Sequence, residues 1–156
     1  MPDLHDYLLD HATWDWPVLL RKWTWLVPPS FTPWIVNRFG DLFIILGDAS
    51  IHHLDIGVGT LYQVAPNRDE FCKLIDDSEN SNNWLMIPLV DQLVAANKTL
   101  SVGECYSYRL APAFGGSYTI ENTKVLPVAQ HYDTFGPLHE LAKDVPNGTQ
   151  VQFKVR

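Results

Sequence analysis

Leu42-Phe43-Ile44-Ile45-Leu46, Gly47-Asp48-Ala49-Ser50, Ile51-His52-His53-Leu54-Asp55-Ile56, Gly57-Val58-Gly59, Thr60-Leu61-Tyr62-Gln63-Val64 is the stretch that decides the fold. Three runs rich in β-branched and aromatic residues alternate with two short connections built from Gly, Asp and Ser. Runs of this length and composition are strands, and such connections are short enough for hairpins. The expectation is an antiparallel meander over 42–46, 51–56 and 60–64.

Outward from the meander, helical signals dominate. Toward the N-terminus, Leu4, Tyr7 and Leu8 sit at helical spacing behind Asp3, which predicts a short capped helix within Asp3–His11. Pro17 opens a second short helix carrying Val18, Leu19, Leu20 and Trp23 inward. Pro28, Pro29 and Pro33 force an irregular crossing into the meander. After it, Asn67 caps a helix with Phe71, Leu74 and Ile75 as its buried stripe. Asp76 to Asn83 reads as a polar, acidic loop, and Trp84 to Ala96 as a longer helix with Pro88 either near its first turn or kinking it.

The C-terminal third mixes the two. Gly103 to Leu110 alternates Cys105, Ser107 and Arg109 against Tyr106, Tyr108 and Leu110, the period of a strand. Gly115-Gly116 is a turn, followed by strand-like Ser117–Ile120 and Lys124–Ala129. His131 to Lys143 is a last helix, with Gly136-Pro137 either interrupting or starting it, and Pro146-Asn147-Gly148 turns into a strand at Thr149–Val155. The fold class is α+β, an antiparallel sheet packed with several short helices, organised as one compact unit over 1–156.

Composition narrows function. The 156 residues carry a net charge of −7, which opposes binding of nucleic acid through its phosphates and favours attraction to a basic partner. Two cysteines far apart, Cys72 and Cys105, give neither a zinc knuckle nor a redox pair and read as free thiols. The start, Met1-Pro2-Asp3-Leu4, lacks the pattern of a signal peptide, and no apolar run approaches the ~20 residues of a membrane span. The expectation is a cytoplasmic protein that touches no membrane.

Catalytic motifs are sparse. His53 and Asp55 share a strand face while His52 points away, so a metal-dependent hydrolase needs a third ligand, from His131 or His139. His139-Glu140 lacks the second histidine of HExxH, Lys143 standing in its place, and no GxSxG elbow is present. Cys105 reads as packed rather than activated, and Gly57-Val58-Gly59 as a turn rather than a phosphate loop. No residue is assigned a catalytic or metal-binding role, and no cofactor is called for. Trp14-Asp15-Trp16 and Trp23-Thr24-Trp25 serve either as core aromatics or as exposed anchors for a partner.

Several segments carry a family resemblance: Phe39 through Val64, Arg68-Asp69-Glu70-Phe71-Cys72, Trp84-Leu85-Met86-Ile87-Pro88-Leu89-Val90, Gly103 to Tyr108, Gly115-Gly116-Ser117-Tyr118-Thr119-Ile120-Glu121-Asn122, and His139 through Gly148. Together they resemble the bacterial immunity proteins associated with type VI secreted DNase toxins. That resemblance implies a GAD-like N-terminal half over 1–66 and an immunity-family C-terminal half over 67–156. It implies a non-enzymatic protein whose partner is a cognate nuclease toxin, blocked by steric and electrostatic occlusion. For the contact surface, the acidic Asp76, Asp77 and Glu79 with nearby Tyr106 and Tyr108 are the expected partner-binding residues. A metal-dependent hydrolase using His53 and Asp55, or an orphan scaffold or regulatory domain, are the alternatives.

Overall fold

The computed structural model describes residues 3–144. The turn at Pro146–Gly148 and the strand at Thr149–Val155 lie outside the described residues. The meander is present as β2 (Leu42–Ile45), β3 (Ile51–Asp55) and β4 (Thr60–Ala65), all antiparallel. A further strand, β1 (Thr32–Val36), extends it to four, in the order β1-β2-β3-β4. The sequence places an irregular crossing there because of Pro33. An edge strand tolerates a missing amide, and the register shifts between Pro33 and Ile35 as it does at a bulge.

β2 is buried on both faces, which explains its unbroken apolar run. One face, with Leu42, Ile44 and Leu54, joins the main core. That core includes Trp23, Phe39, Tyr106, Tyr132 and Phe135, and so draws on residues from both sides of position 66. The opposite face carries Phe43, Ile51, Ala65 and Phe71, with Trp34 and Trp84 packed against them. Of the tryptophans in the two sequence pairs, Trp16 and Trp23 are buried, and Trp14 and Trp25 pack half-buried against the main core.

The helices differ from expectation in instructive ways. The N-terminal helix is a single 3-10 turn, Leu4–Tyr7, because Leu9 N–H then bonds Val36 O and draws the chain extended along β1. α1 (Trp16–Leu19) is capped by Asp15, and Val18 faces solvent while Leu20 and Trp23 go inward. α2 (Arg68–Ile75) has the predicted Asn67 cap; Phe71 is buried, but Leu74 is exposed.

Most of the acidic stretch is not a loop. α3 (Ser78–Trp84) starts where the Asp77 carboxylate accepts the Glu79 amide at 2.9 Å. Trp84 therefore ends α3 instead of opening the next helix, and stacks on Phe71 with ring centroids 5.2 Å apart. The chain breaks at Met86, which takes the left-handed conformation (φ 53°), before α4 (Ile87–Ala95) begins with Pro88 in its first turn.

β5 (Glu104–Tyr108) pairs with β6 (Thr123–Pro127) in a second, two-stranded antiparallel sheet. Ser117–Ile120 is not a strand: Asn122 Nδ2 donates to both Leu110 O and Ser117 O, which folds the segment back locally. α5 (Val128–Ala142) begins before His131 and runs through Gly136-Pro137. A Cβ on Gly136 would lie 2.6 Å from Lys22 O, so glycine is what admits the Trp23 segment against this helix. Among the described residues no helix is long and apolar enough to cross a membrane.

Candidate functional site

The open end of the four-stranded sheet forms one side of a cleft of about 540 Å³. Antiparallel register pairs Leu42 with Leu54, so the preceding residue, Asp41, comes to the same end as Asp55. His53 lies between Phe43 and Tyr62 in the cross-strand pairing, giving a row of three rings over three strands. The imidazole stacks on Phe43 at 4.5 Å and 4° and meets Tyr62 edge-on. As strand alternation requires, His53 and Asp55 both line the cleft, while His52 turns away and pairs with Ser50 Oγ at 2.9 Å.

The opposite wall comes from the ends of α3 and α4 through Asn82, Asn83, Trp84, Met86 and Gln92. Asn37 ties the walls together. Its Nδ2 donates to Asp41 Oδ2 (3.1 Å) and to Trp84 O (2.9 Å), while its Oδ1 accepts the amides of Phe39 and Asp41. Tyr108 and Tyr118 close the third side, in edge contact with each other at 6.0 Å.

The electrostatics are one-sided. Asp41 is buried and its carboxyl stands well above the usual carboxylate range, first through burial and then through the neighbouring Asp55 charge. The Ile56 amide on Oδ1 and the Asn37 amide oppose that shift. Asp55 is raised too, by burial, against the Val58 and Gly57 amides. Burial pushes His53 down to about 4, so its ring is neutral at pH 7. Tyr118 is pushed up to about 12 by burial and then by the two aspartates. Among the described residues neither Asp41 nor Asp55 has a cationic partner; the ion pairs are Arg21–Asp133 and Lys73–Glu70.

The other candidate residues are placed apart from this cleft or inside the core. His131 is fully buried: Nε2–H donates to Phe39 O (2.8 Å), which leaves Nδ1 to accept from Ser107 Oγ (2.7 Å). His139 donates from Nε2 to Ile56 O at 2.7 Å. Both imidazoles are engaged in packing, and among the described residues no three His, Cys, Asp or Glu side chains are grouped to hold a metal ion. Cys105 is packed and its thiol raised by burial, as its place on β5 implies; Cys72 is exposed.

Asp76, Asp77 and Glu79 are exposed at the start of α3, a helix whose far end supplies Asn82 to Trp84 to the cleft. Tyr106 and Tyr108, expected beside them at a surface, are buried instead. Both faces of β5 are covered, Cys105 and Ser107 on one and Tyr106 and Tyr108 on the other all being buried, so an alternating pattern there carries no information about exposure. Tyr106 donates its hydroxyl to Lys98 O; Tyr108 reaches the cleft wall, 3.7 Å from Met86 Sδ. Asp41, Tyr62 and Tyr118 escaped sequence reading. Asp41 looks like a turn residue, and only the strand register reveals its neighbour.

Residues 65–139 match the family described as T6SS immunity protein Tdi1, C-terminal. Over these residues, just under half of the chain, it is similar to the type VI secretion immunity family. The matched segment starts at the last residue of β4 and runs to His139 in α5, taking in α2, α3, α4 and the second sheet. The matched segment therefore supplies the α3–α4 wall and the Tyr108–Tyr118 side of the cleft, while Asp41, His53 and Asp55 precede it. The family is one of immunity proteins, not enzymes. No curated protein matches the chain.

Proposed function

We propose that this immunity protein neutralises a secreted nuclease toxin in the cytoplasm by covering its nucleic-acid-binding surface. The family match carries the reading. A nuclease needs a basic surface to hold phosphates, and the −7 net charge suits this chain to be drawn to such a surface and to occupy it. Residues 1–66 are read as the GAD-like half.

The exposed Asp76, Asp77 and Glu79 supply long-range attraction and contact toxin Lys or Arg. Tyr106 has no surface to offer a partner, and Tyr108 contributes through the cleft wall alone. Charge reversal of the three carboxylates is expected to weaken association and flatten its salt dependence. An unchanged affinity and salt slope would remove them from the interface.

The primary test is capture of partners on the tagged protein from its native lysate at low and moderate salt, followed by DNA-cleavage assays on what is recovered. A basic nuclease bound near one-to-one, and silenced by the protein, is the expected result. A recovered partner that cleaves DNA equally well with and without the protein would overturn nuclease inhibition.

A further inference from the structure

The cleft between the sheet end and α3–α4 has a chemistry that ordinary packing does not explain. Two carboxyl groups, Asp41 and Asp55, meet there, and among the described residues neither has a cationic partner and no Lys or Arg lines the walls. His53 is 5% exposed, its Nδ1 is occupied by Tyr62 Oη at 2.7 Å, and its Nε2 has no hydrogen-bond partner among the described residues. A buried polar nitrogen left unpaired is costly, so its persistence calls for a group that pairs with it in another state. Tyr62 and Tyr118 stand at the edge, 45% and 51% exposed, as aromatic anchors do at protein interfaces.

We propose that this cleft is a receptor for one arginine side chain of the toxin, taken up between Asp41, Asp55 and His53. The assignment rests on the immunity reading above and names the contact it uses. The occupant is cationic, because a positive charge beside Asp41 and Asp55 favours the charged forms that burial opposes, and it offers several N–H donors in different directions. It must also tolerate aromatic walls. A guanidinium meets all three requirements: it has five donors, is weakly hydrated and stacks on rings, whereas an ammonium is compact and strongly hydrated. With Nδ1–H of His53 directed at Tyr62 Oη, the Nε2 lone pair accepts one guanidinium N–H. Asp55 accepts another, and Trp84 or Tyr118 faces the planar group. Because the toxin's arginines serve its phosphate-binding surface, sequestering one would disarm the site as well as block it.

The test uses the full chain and needs no toxin at first. Titration with N-acetyl-arginine amide, followed by NMR on the His53 ring and the Trp84 indole, is expected to give saturable shifts in the millimolar range. N-acetyl-citrulline amide, its neutral counterpart, is expected to give shifts at least tenfold weaker, and Asp55→Asn, verified as folded by circular dichroism, to lose the arginine response. Equal response to citrulline, or no saturable shift with arginine in the wild-type protein, overturns the proposal. With the captured nuclease in hand, Asp55→Asn is expected to weaken inhibition at least tenfold. A folded Asp55→Asn protein that inhibits as well as wild type removes the cleft from the interface while leaving immunity intact. A nuclease that the wild-type protein does not inhibit instead breaks the immunity reading, and the arginine titration still decides the cleft.

Discussion

His53 and His131 are both buried imidazoles held neutral by desolvation, yet they sit in opposite circumstances. His131 is saturated: Phe39 O takes its proton, Ser107 Oγ fills its other nitrogen, and Tyr132 beside it bonds Gly40 O at 2.7 Å. His53 is stacked and oriented by Phe43 and Tyr62, but among the described residues one of its nitrogens has no partner, in a cleft that also holds two carboxyl groups. Burial alone does not separate a structural histidine from a binding one. Hydrogen-bond completeness does, because a saturated ring has nothing left to offer a partner.

The largest test of that contrast is His131→Ala. Loss of the ring strands Phe39 O and Ser107 Oγ and leaves a cavity, an expected cost of about 3 kcal/mol in urea denaturation. A cost no greater than that of altering His53 would dissolve the distinction. The other histidine packed on α5, His139, is probed by Gly59→Ala. Gly59 has φ +78°, and an added Cβ would come within 2.4 Å of the His139 ring, so unfolding free energy is expected to drop by about 2 kcal/mol or more.

Acid sharpens the comparison from the other side. The pKa of His53 is lowered on folding, from 6.5 to about 4, so the unfolded chain binds the extra proton first. Its contribution to stability is intact above 6.5 and is lost as pH falls toward 4. Asp41 and Asp55, whose folded values are raised, act with the opposite sign: the stability they lend is present at low pH and is lost as pH rises through those raised values. A difference measurement isolates the histidine. Relative to wild type, His53→Phe is expected to gain about 2 kcal/mol between pH 7 and pH 5, read from paired denaturation curves. The smallest effect is that same variant at pH 7. Phenylalanine keeps the stack on Phe43 and removes the unpaired nitrogen but forfeits the Tyr62 bond, so stability is expected to stay within about 1 kcal/mol of wild type. A loss as large as that of His131→Ala would mean that His53 is a core residue after all.

These contrasts also mark what sequence could tell. The meander was legible because apolar runs, short Gly- and Asp-bearing connections and strand alternation all agree there, and alternation alone put His53 and Asp55 on one face. α3 was hidden because its residues, Ser78-Glu79-Asn80-Ser81-Asn82-Asn83, have the composition of a loop; an Asp77 cap and the docking of Trp84 on Phe71 outweigh that weak propensity. β1 was hidden by Pro33, which is harmless on an edge. Tyr106 and Tyr108 alternate as a half-exposed strand would, but tertiary packing covers both sides. Of the cleft, Asp41 was out of reach because its meaning lies in register with a residue fourteen positions later, not in its neighbours along the chain.

Three bonds that α5 donates to the early part of the chain have a bearing on inheritance. His131 to Phe39, Tyr132 to Gly40 and His139 to Ile56 all cross from the matched segment to residues that precede it. A gene exchange that brought in residues 65–139 from a cousin would arrive with donors aimed at carbonyls it did not carry. Such chimeras should survive only where the incoming helix keeps those side chains and the resident turn at 37–41 keeps its shape. Exchange across this seam therefore has to keep the donor side chains of the helix and the carbonyls that receive them together.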